Sequence, residues 1–531
     1  LPLTANTKSR RALLADLALI GFLSLFMAAW WSGNRLLNQD EMFSYQTDTV
    51  RSLAEVVRIQ RHYPISLDPM VYHALAHLST LMFGATVFAM RLPSMLGYTL
   101  MLGCLYVFCF RAVRARWPER SSRRIAQFAA LLPLLTAASF YATEARPYGL
   151  LLGFTALAAV GWQAATRDPL SRRWSLPLLG IALALALNTH YFAVLLLPVF
   201  YLAEFVRTLQ RRRLDIPLVV ALLLGTAAIA GTLPFLPAVR AFRSHYYSAG
   251  AINLHAVTQA YRSLLVDYTS TTLETQRTLA ALLVVAAMLF LAALVLRWRS
   301  LALPPAEATL LVALAALPLF GFLLAHFVTH SYEVRYVLGA IFGITILLTL
   351  LLAPWIAPAT DDLRASLRWL PYMLFFLLPF ACLSRVNAEK RTSSARLKSL
   401  EVSSSVRSAL AADPTHSLYV QQMGHYELAQ FYQPDPIVRA HTVLVYDRQR
   451  EIRSSGHDTE ALTAEHMQHF TALRIVRYDT LIRAASPQTW LLYTDGWDFA
   501  HKTLPQEGAT VTPIAPLFQG TAVTVRFPQQ H

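Results

Sequence analysis

Apolar positions in this chain gather into long runs separated by short polar breaks. A bilayer span needs about 20 mainly apolar residues. Eleven runs meet that need: 12–31, 93–111, 125–141, 148–166, 176–189, 191–207, 216–236, 278–297, 308–328, 336–353 and 369–384. The fifth and sixth are broken only at Asn188-Thr-His190, which predicts a tight hairpin. From residue 385 onward the pattern turns polar and alternating. Stretches 417–422, 441–447 and 489–495 read as strands, with helical periodicity between them. The expected fold is a polytopic α-helical membrane protein, with about eleven spans over 1–384 and a soluble α/β domain over 385–531.

Charge sets the expected orientation. The chain has 46 Lys+Arg against 31 Asp+Glu, a net +15. In a soluble protein that excess would suggest nucleic acid. Here much of it lies in short clusters between apolar runs: Arg111, Arg114, Arg116, Arg120, Arg123 and Arg124; Arg167, Arg172 and Arg173; Arg207, Arg211, Arg212 and Arg213. Cytoplasmic loops are marked in this way. With the N-terminus inside, these clusters all fall at even-to-odd connections, and the C-terminus lies outside. The partner implied by the basic balance is membrane lipid, not nucleic acid. Only 15% of residues are charged and 55% are apolar, which excludes an ordinary soluble enzyme. Cys104, Cys109 and Cys382 lie within apolar runs and read as small buried hydrophobes. The N-terminal apolar run ends without a small-x-small cleavage site, so an uncleaved first span is expected.

The acids then locate the chemistry. On this topology no Asp or Glu sits mid-span, and Asp16 and Glu204 are at cytoplasmic ends. Asp40, Glu41, Asp48, Glu55, Asp68, Glu144, Asp267, Glu274 and Glu333 are on the outer side. Coupled transporters place ionisable groups or broken helices near the midplane. An outer-face enzyme acting where lipid headgroups meet water fits better. Asp40-Glu41 follows the first span closely, within an outer loop at 32–92 that carries two amphipathic stretches, and Glu144 lies in the short loop 141–148. Two short-tethered acids at one face can line one cavity. The alternative is that Asp40 caps a helix and Glu144 pairs with Arg146. His73 and His77, four apart on a helix, could join Asp68 or Asp40 around a divalent metal, but headgroup-facing histidines are favoured. His190 is assigned to its turn, and Trp30, Trp31, Tyr191 and Tyr336 to an aromatic belt. No metal site and no cofactor is assigned.

Several motifs follow one another in order. They are Asn38-Gln-Asp-Glu-Met-Phe-Ser44, His62-Tyr-Pro64, Asp68-Pro-Met-Val-Tyr72, Phe88-Ala-Met-Arg-Leu-Pro-Ser94, Tyr141-Ala-Thr-Glu-Ala-Arg-Pro-Tyr148, Asn188-Thr-His-Tyr-Phe192 and Val334-Arg-Tyr336. Together they resemble the bacterial GT-C glycosyltransferases of family 39, which are similar to protein O-mannosyltransferases and to the lipid A aminoarabinose transferase. The resemblance is densest over 38–207 and weaker through 353. It implies an inverting transfer of sugar from a polyprenyl-phosphate carrier to an acceptor outside the cytoplasm, in a bacterial inner membrane. It implies Asp40 as catalytic base, Glu144 as a second acid in the same cavity, and Arg335-Tyr336 near the carrier phosphate. Glu41 is the reserve acid. Arg146, Arg243, His62 and Tyr72 complete the candidate substrate-binding set, although the family's unbroken His-Pro-Pro-Leu-Tyr-Tyr run is split here between His62-Tyr-Pro and Asp68-Pro-Met-Val-Tyr. The rival reading is a transporter or flippase of a lipid-linked saccharide.

Overall fold

The computed structural model describes residues 7–243, 252–265, 303–356, 369–412, 416–484, 489–495, 499–518 and 520–527. The span expected at 278–297 lies outside them, as do Asp267 and Glu274. Two compact units form: Leu1–Asn34 with Asp68–Leu233 and Ser248–Ala388, and Arg35–Leu67 with Pro234–Tyr247 and Glu389–His531.

The polytopic α-helical architecture is borne out. Among the described residues, seven helices are long and apolar enough to cross a membrane: Ser9–Ser32, Val87–Val113, Tyr148–Arg167, Pro169–Leu187, Tyr191–Arg211, Ile216–Phe242 and Pro371–Lys398. The run at 308–328 is a broken pair, Pro305–Ala315 and Leu317–Thr329, bent by 55°. The run at 336–353 forms the shorter helix Ala340–Ile356. The expected hairpin at 188–190 is present, with Asn188 closing the helix Arg172–Leu187 and His190 opening a 3-10 turn.

One expected span needs correction. The run at 125–141 is a helix only to Leu131, after which 3-10 turns Leu132–Leu135 and Ala137–Ala142 follow. Pro133 has no N–H to continue the ladder, and Thr136 is extended at φ −93°, ψ 164°. The buried Arg385 takes up the exposed backbone, donating to the carbonyls of Leu134 at 2.7 Å and Thr136 at 3.1 Å.

In the first unit the helix Val87–Val113 is central, packed against Thr7–Ser32, Met70–Phe83, Glu119–Leu131 and Tyr148–Arg167. Its crossing with Tyr148–Arg167 is backbone on backbone. A Cβ on Gly97 would lie 2.5 Å from the Gly149 carbonyl oxygen, and one on Gly149 would run into the Ser94 carbonyl. The arginines of the loop clusters clamp neighbouring helix ends. Arg123 binds Asp16 at 2.7 Å, Arg167 binds Glu307, and Asp215 gathers Arg172, Arg207 and Arg211.

The second unit is built on a six-stranded sheet. Its strands are β1 Leu418–Val420, β2 Thr442–Tyr446, β3 Ile475–Arg477, β4 Thr489–Thr494, β5 Thr510–Leu517 and β6 Gly520–Arg526, in the order β3-β2-β1-β4-β6-β5. The first four strands in that order are parallel; β6 pairs antiparallel with β4 and with β5. The three strands expected from the sequence are β1, β2 and β4. Successive residues alternate between two apolar cores, Leu444, Tyr446, Leu491 and Tyr493 in one, Val445, Trp490 and Leu492 in the other. A parallel sheet covered on both faces requires this. Phe43 and Ile65 of the first outer loop join the former core. The Leu37 N–H donates to the Tyr432 hydroxyl at 3.0 Å, His466 Nδ1 donates to the Pro64 carbonyl at 2.8 Å, and Tyr63 stacks on His469 at 4.1 Å.

Candidate active site

In the first unit four separate stretches meet around His190. The glycine crossing brings loop 141–148 onto the helix Val87–Val113, where the Ser94 hydroxyl donates to the Arg146 carbonyl. The Arg146 side chain reaches Asp68 at 2.9 Å, with both groups almost fully buried. Asp68 is fixed in turn by the start of the next helix, since the Val71 N–H donates to the Asn188 carbonyl at 3.0 Å. Asn188 Nδ2 donates to the carbonyls of Ala184 and Ala228, locking the hairpin.

His190 Nδ1 accepts the Phe192 N–H at 3.2 Å, which puts the neutral ring's proton on Nε2. The ring lies 5.7 Å from Tyr148 and 5.6 Å from Tyr336, and Tyr336 stacks on Phe192 at 3.8 Å. Burial brings the His190 pKa down to about 4; Asp68 opposes that shift, and Arg146 and Arg335 add to it. The imidazole is therefore a neutral N–H donor between two guanidiniums and a carboxylate. Arg335 lies in the turn Val334–Val337 ahead of the helix Ala340–Ile356. Glu144, Glu333 and Arg335 all act electrostatically on Tyr141, so the second acid and the arginine share one neighbourhood. A short region thus offers two guanidiniums, a neutral imidazole and several carboxylates, a set suited to a phosphate and its sugar.

Of the candidates from the sequence, Glu144, Arg146, Arg335 and Tyr336 lie in this one unit, together with two residues outside the candidate set, Asp68 and His190. The sequence offers Asp68 as an outer-face acid and a possible metal partner of His73 and His77, and His190 as a turn former, each within a family motif. His190 does form the turn, but its ring also enters the cluster. Tyr72 is a packing residue instead, fully buried with its hydroxyl at 3.5 Å from the Met90 carbonyl. His73 and His77 do not face headgroups: both are buried, and the outward side of their helix is Leu75, Leu78, Leu81 and Met82. Among the described residues no group of three or more His, Cys, Asp and Glu is placed to hold a metal.

The remaining candidates belong to the second unit. Asn38, not Asp40, caps the helix Gln39–Asp48. Its Oδ1 accepts the Glu41 N–H at 2.9 Å, and Glu41 Oε2 accepts the Asn38 N–H at 3.0 Å. Glu41 is fully buried and also binds Arg35 at 3.2 Å. Its carboxylate is committed to structure. Asp40 stands half-buried in the first turn of that helix, the end that favours negative charge. His62 is exposed at the end of the helix Leu53–His62. Arg243 ends the helix Leu236–Arg243, and its side chain lies outside the described ones.

Residues 68–237 match the family model of dolichyl-phosphate-mannose-protein mannosyltransferases. The structure is similar to that of ArnT from Cupriavidus metallidurans bound to undecaprenyl phosphate, with 15% identity, 98% of each chain covered and a TM-score of 0.52. The apo state of the same protein gives 0.53 at the same identity and coverage. An Archaeoglobus fulgidus oligosaccharyltransferase in complex with Zn and sulfate covers 80% of this chain and 62% of that one, at 12% identity and a TM-score of 0.41. No curated protein matches the chain in sequence. The ArnT likeness shows the fold: a GT-C membrane domain, as the motifs implied, carrying a C-terminal sheet unit, as the alternating pattern after residue 385 implied.

Proposed function

We propose that this protein is an inverting glycosyltransferase that moves a sugar from a polyprenyl-phosphate carrier to a hydroxyl or phosphate of an extracytoplasmic glycan, lipid or protein. The observation that carries this reading is the meeting of Arg146, Arg335, Asp68 and neutral His190 in one buried neighbourhood, much of it within the family-matched stretch. A leaving lipid phosphate gains charge as its bond to the sugar breaks. Preorganised guanidiniums and an N–H donor in a water-poor site stabilise that charge. In the proposed division of labour Arg335 and Arg146 hold the phosphate and His190 Nε2 donates to it. Asp40 takes the acceptor proton as the new glycosidic bond forms, and Glu144 orients the sugar or acceptor. A single displacement inverts the anomeric centre.

A transporter or flippase is the second reading. It is disfavoured because, among the described residues, Asp16, Glu204, Asp215 and Glu307 are each bound by arginine. The proposed setting is a bacterial inner membrane, with the site on the outer face. Mass spectrometry of envelope glycans and lipid A, with and without the protein, tests the reading. A sugar lost from one acceptor in its absence, and restored by the wild type but not by Asp40→Asn, is the expected result. An unchanged envelope would overturn it.

A further inference from the structure

The sheet unit contains an acid without the usual compensation. Glu427, on the helix Met423–Tyr432, has no exposed surface, and neither of its carboxyl oxygens has a hydrogen-bond partner among the described residues. That helix is the one on which the first-loop helix Gln39–Asp48 is seated. Tyr45 packs edge-on against Phe431 at 4.9 Å, the Leu37 N–H donates to the Tyr432 hydroxyl, and a Cβ on Gly424 would lie 3.1 Å from Gln39 Oε1. The charges acting on Glu427 are both acidic: Glu460 from the helix Thr459–Met467, and Asp40 from the first-loop helix. Glu460 is provided for, since it accepts the Met423 N–H at 3.2 Å and a hydrogen bond from the Gln39 side chain. On the same helix as Glu427, His425 sits near Asp495 and Arg396.

A carboxylate buried without a partner is so unfavourable that the group takes up a proton instead. A neutral carboxyl also adds no second negative charge beside Asp40. We propose that Glu427 is a positioning residue for Asp40: a buried, neutral carboxyl in the C-terminal unit that adds no negative charge to the seat of the first-loop helix. The inference rests on the reading of Asp40 as the acceptor base. Burial pushes both Glu427 and Glu460 upward, and Glu427 lacks the accepted hydrogen bonds that restrain Glu460. Ionising Glu427 at alkaline pH would add a buried negative charge within the influence of Glu460 and Asp40 and loosen the seat of the first-loop helix. The C-terminal unit would then set the alkaline limit of the reaction.

Infrared titration of the full chain in detergent, reading the carbonyl stretch of protonated carboxyls, tests this without any substrate. The wild type should show protonated-carboxyl absorption at neutral pH that Glu427→Gln diminishes, the part that remains including the buried Glu451, whose pKa burial raises to about 8. In Asp40→Asn the Glu427 part of the band should titrate lower by about one pH unit, because one negative neighbour is gone. A band unchanged by Glu427→Gln, or a midpoint unmoved by Asp40→Asn, overturns the proposal. Should Glu427→Gln fail to fold, the Asp40→Asn midpoint still decides. The outcome is separable from the base assignment. Full turnover in Asp40→Asn with a shifted midpoint removes the base and keeps the coupling, and lost turnover with an unmoved midpoint does the reverse.

Discussion

The Ser94 hydroxyl holds the Arg146 carbonyl, and that contact is possible only because the helix carrying Ser94 and the helix that starts at Tyr148 touch through glycine. The consequence runs from packing to chemistry. The same loop carries Glu144 and Arg146, and Arg146 in turn holds Asp68.

Gly149→Ala is therefore expected to harm both stability and site. Its Cβ would enter the Ser94 carbonyl, which is backbone and cannot rotate away. Overpacking of this kind costs about 1–3 kcal/mol. Gly103→Ala is the control, since its Cβ would meet only Leu17 Cδ2 at 3.9 Å. Thermal unfolding in detergent should show a clear loss for the first and little change for the second. Equal behaviour would mean that the crossing yields easily.

His190 predicts an acid-side instability. Its folded pKa of about 4 lies below the ordinary 6.5, so the unfolded chain binds more protons between those values. Stability from this group is complete above about pH 6.5, and is lost as pH falls toward 4, by on the order of 3 kcal/mol. His190→Asn should flatten the slope of unfolding midpoint against pH in that window. A slope unchanged by the substitution would mean that the ring is protonated in the folded state.

Much of this architecture was legible in the sequence because the signals were local. Asn188-Thr-His190 interrupts an apolar run and forms the hairpin. Strands β1, β2 and β4 are short apolar runs between polar breaks. The edge strand β5 escaped notice because Pro513 and Pro516 interrupt its pattern. The break after Leu131 was signalled only by Pro133, while its stabiliser, Arg385, is about 250 residues away. The site divided along the same line. Arg335 and Glu144 stood out in short loops. Asp68 did not, because its partner Arg146 is far along the chain. Nothing in the pattern of the first outer loop showed where Phe43 and Ile65 would pack, because their apolar neighbours come from beyond residue 400.

Neighbouring acids in the first loop should separate cleanly. Glu41→Ala removes a carboxylate from a fully buried pair with Arg35 and breaks the helix cap. Losing one partner of such a pair destabilises by about 3–5 kcal/mol. Asp40→Asn leaves cap and pair intact, so its unfolding midpoint should stay near the wild type. A large stability loss in Asp40→Asn with none in Glu41→Ala would reverse the structural assignment.

The division between base and phosphate site gives the most direct test of the proposed chemistry. An amide at residue 40 keeps the shape of Asp40 but cannot accept a proton, so Asp40→Asn should lower the single-turnover rate by about 10²–10⁴-fold and leave donor affinity nearly unchanged. Arg335→Ala should behave differently. In the proposed chemistry the guanidinium acts on the phosphate in the bound donor, so its loss should weaken binding. It acts more strongly as charge grows on the leaving phosphate, so its loss also slows the step. Arg335→Lys restores a point charge but not the planar fork, and should recover only part of both. Asp68→Asn removes the anion that holds Arg146 at 2.9 Å, and should weaken donor binding without mimicking Asp40→Asn. Donor affinity and single-turnover rate, measured separately with a polyprenyl-phosphate-linked sugar, resolve the four variants. Near-normal turnover in Asp40→Asn would move the base to Glu144, since Glu41 is held by Arg35 and the helix cap.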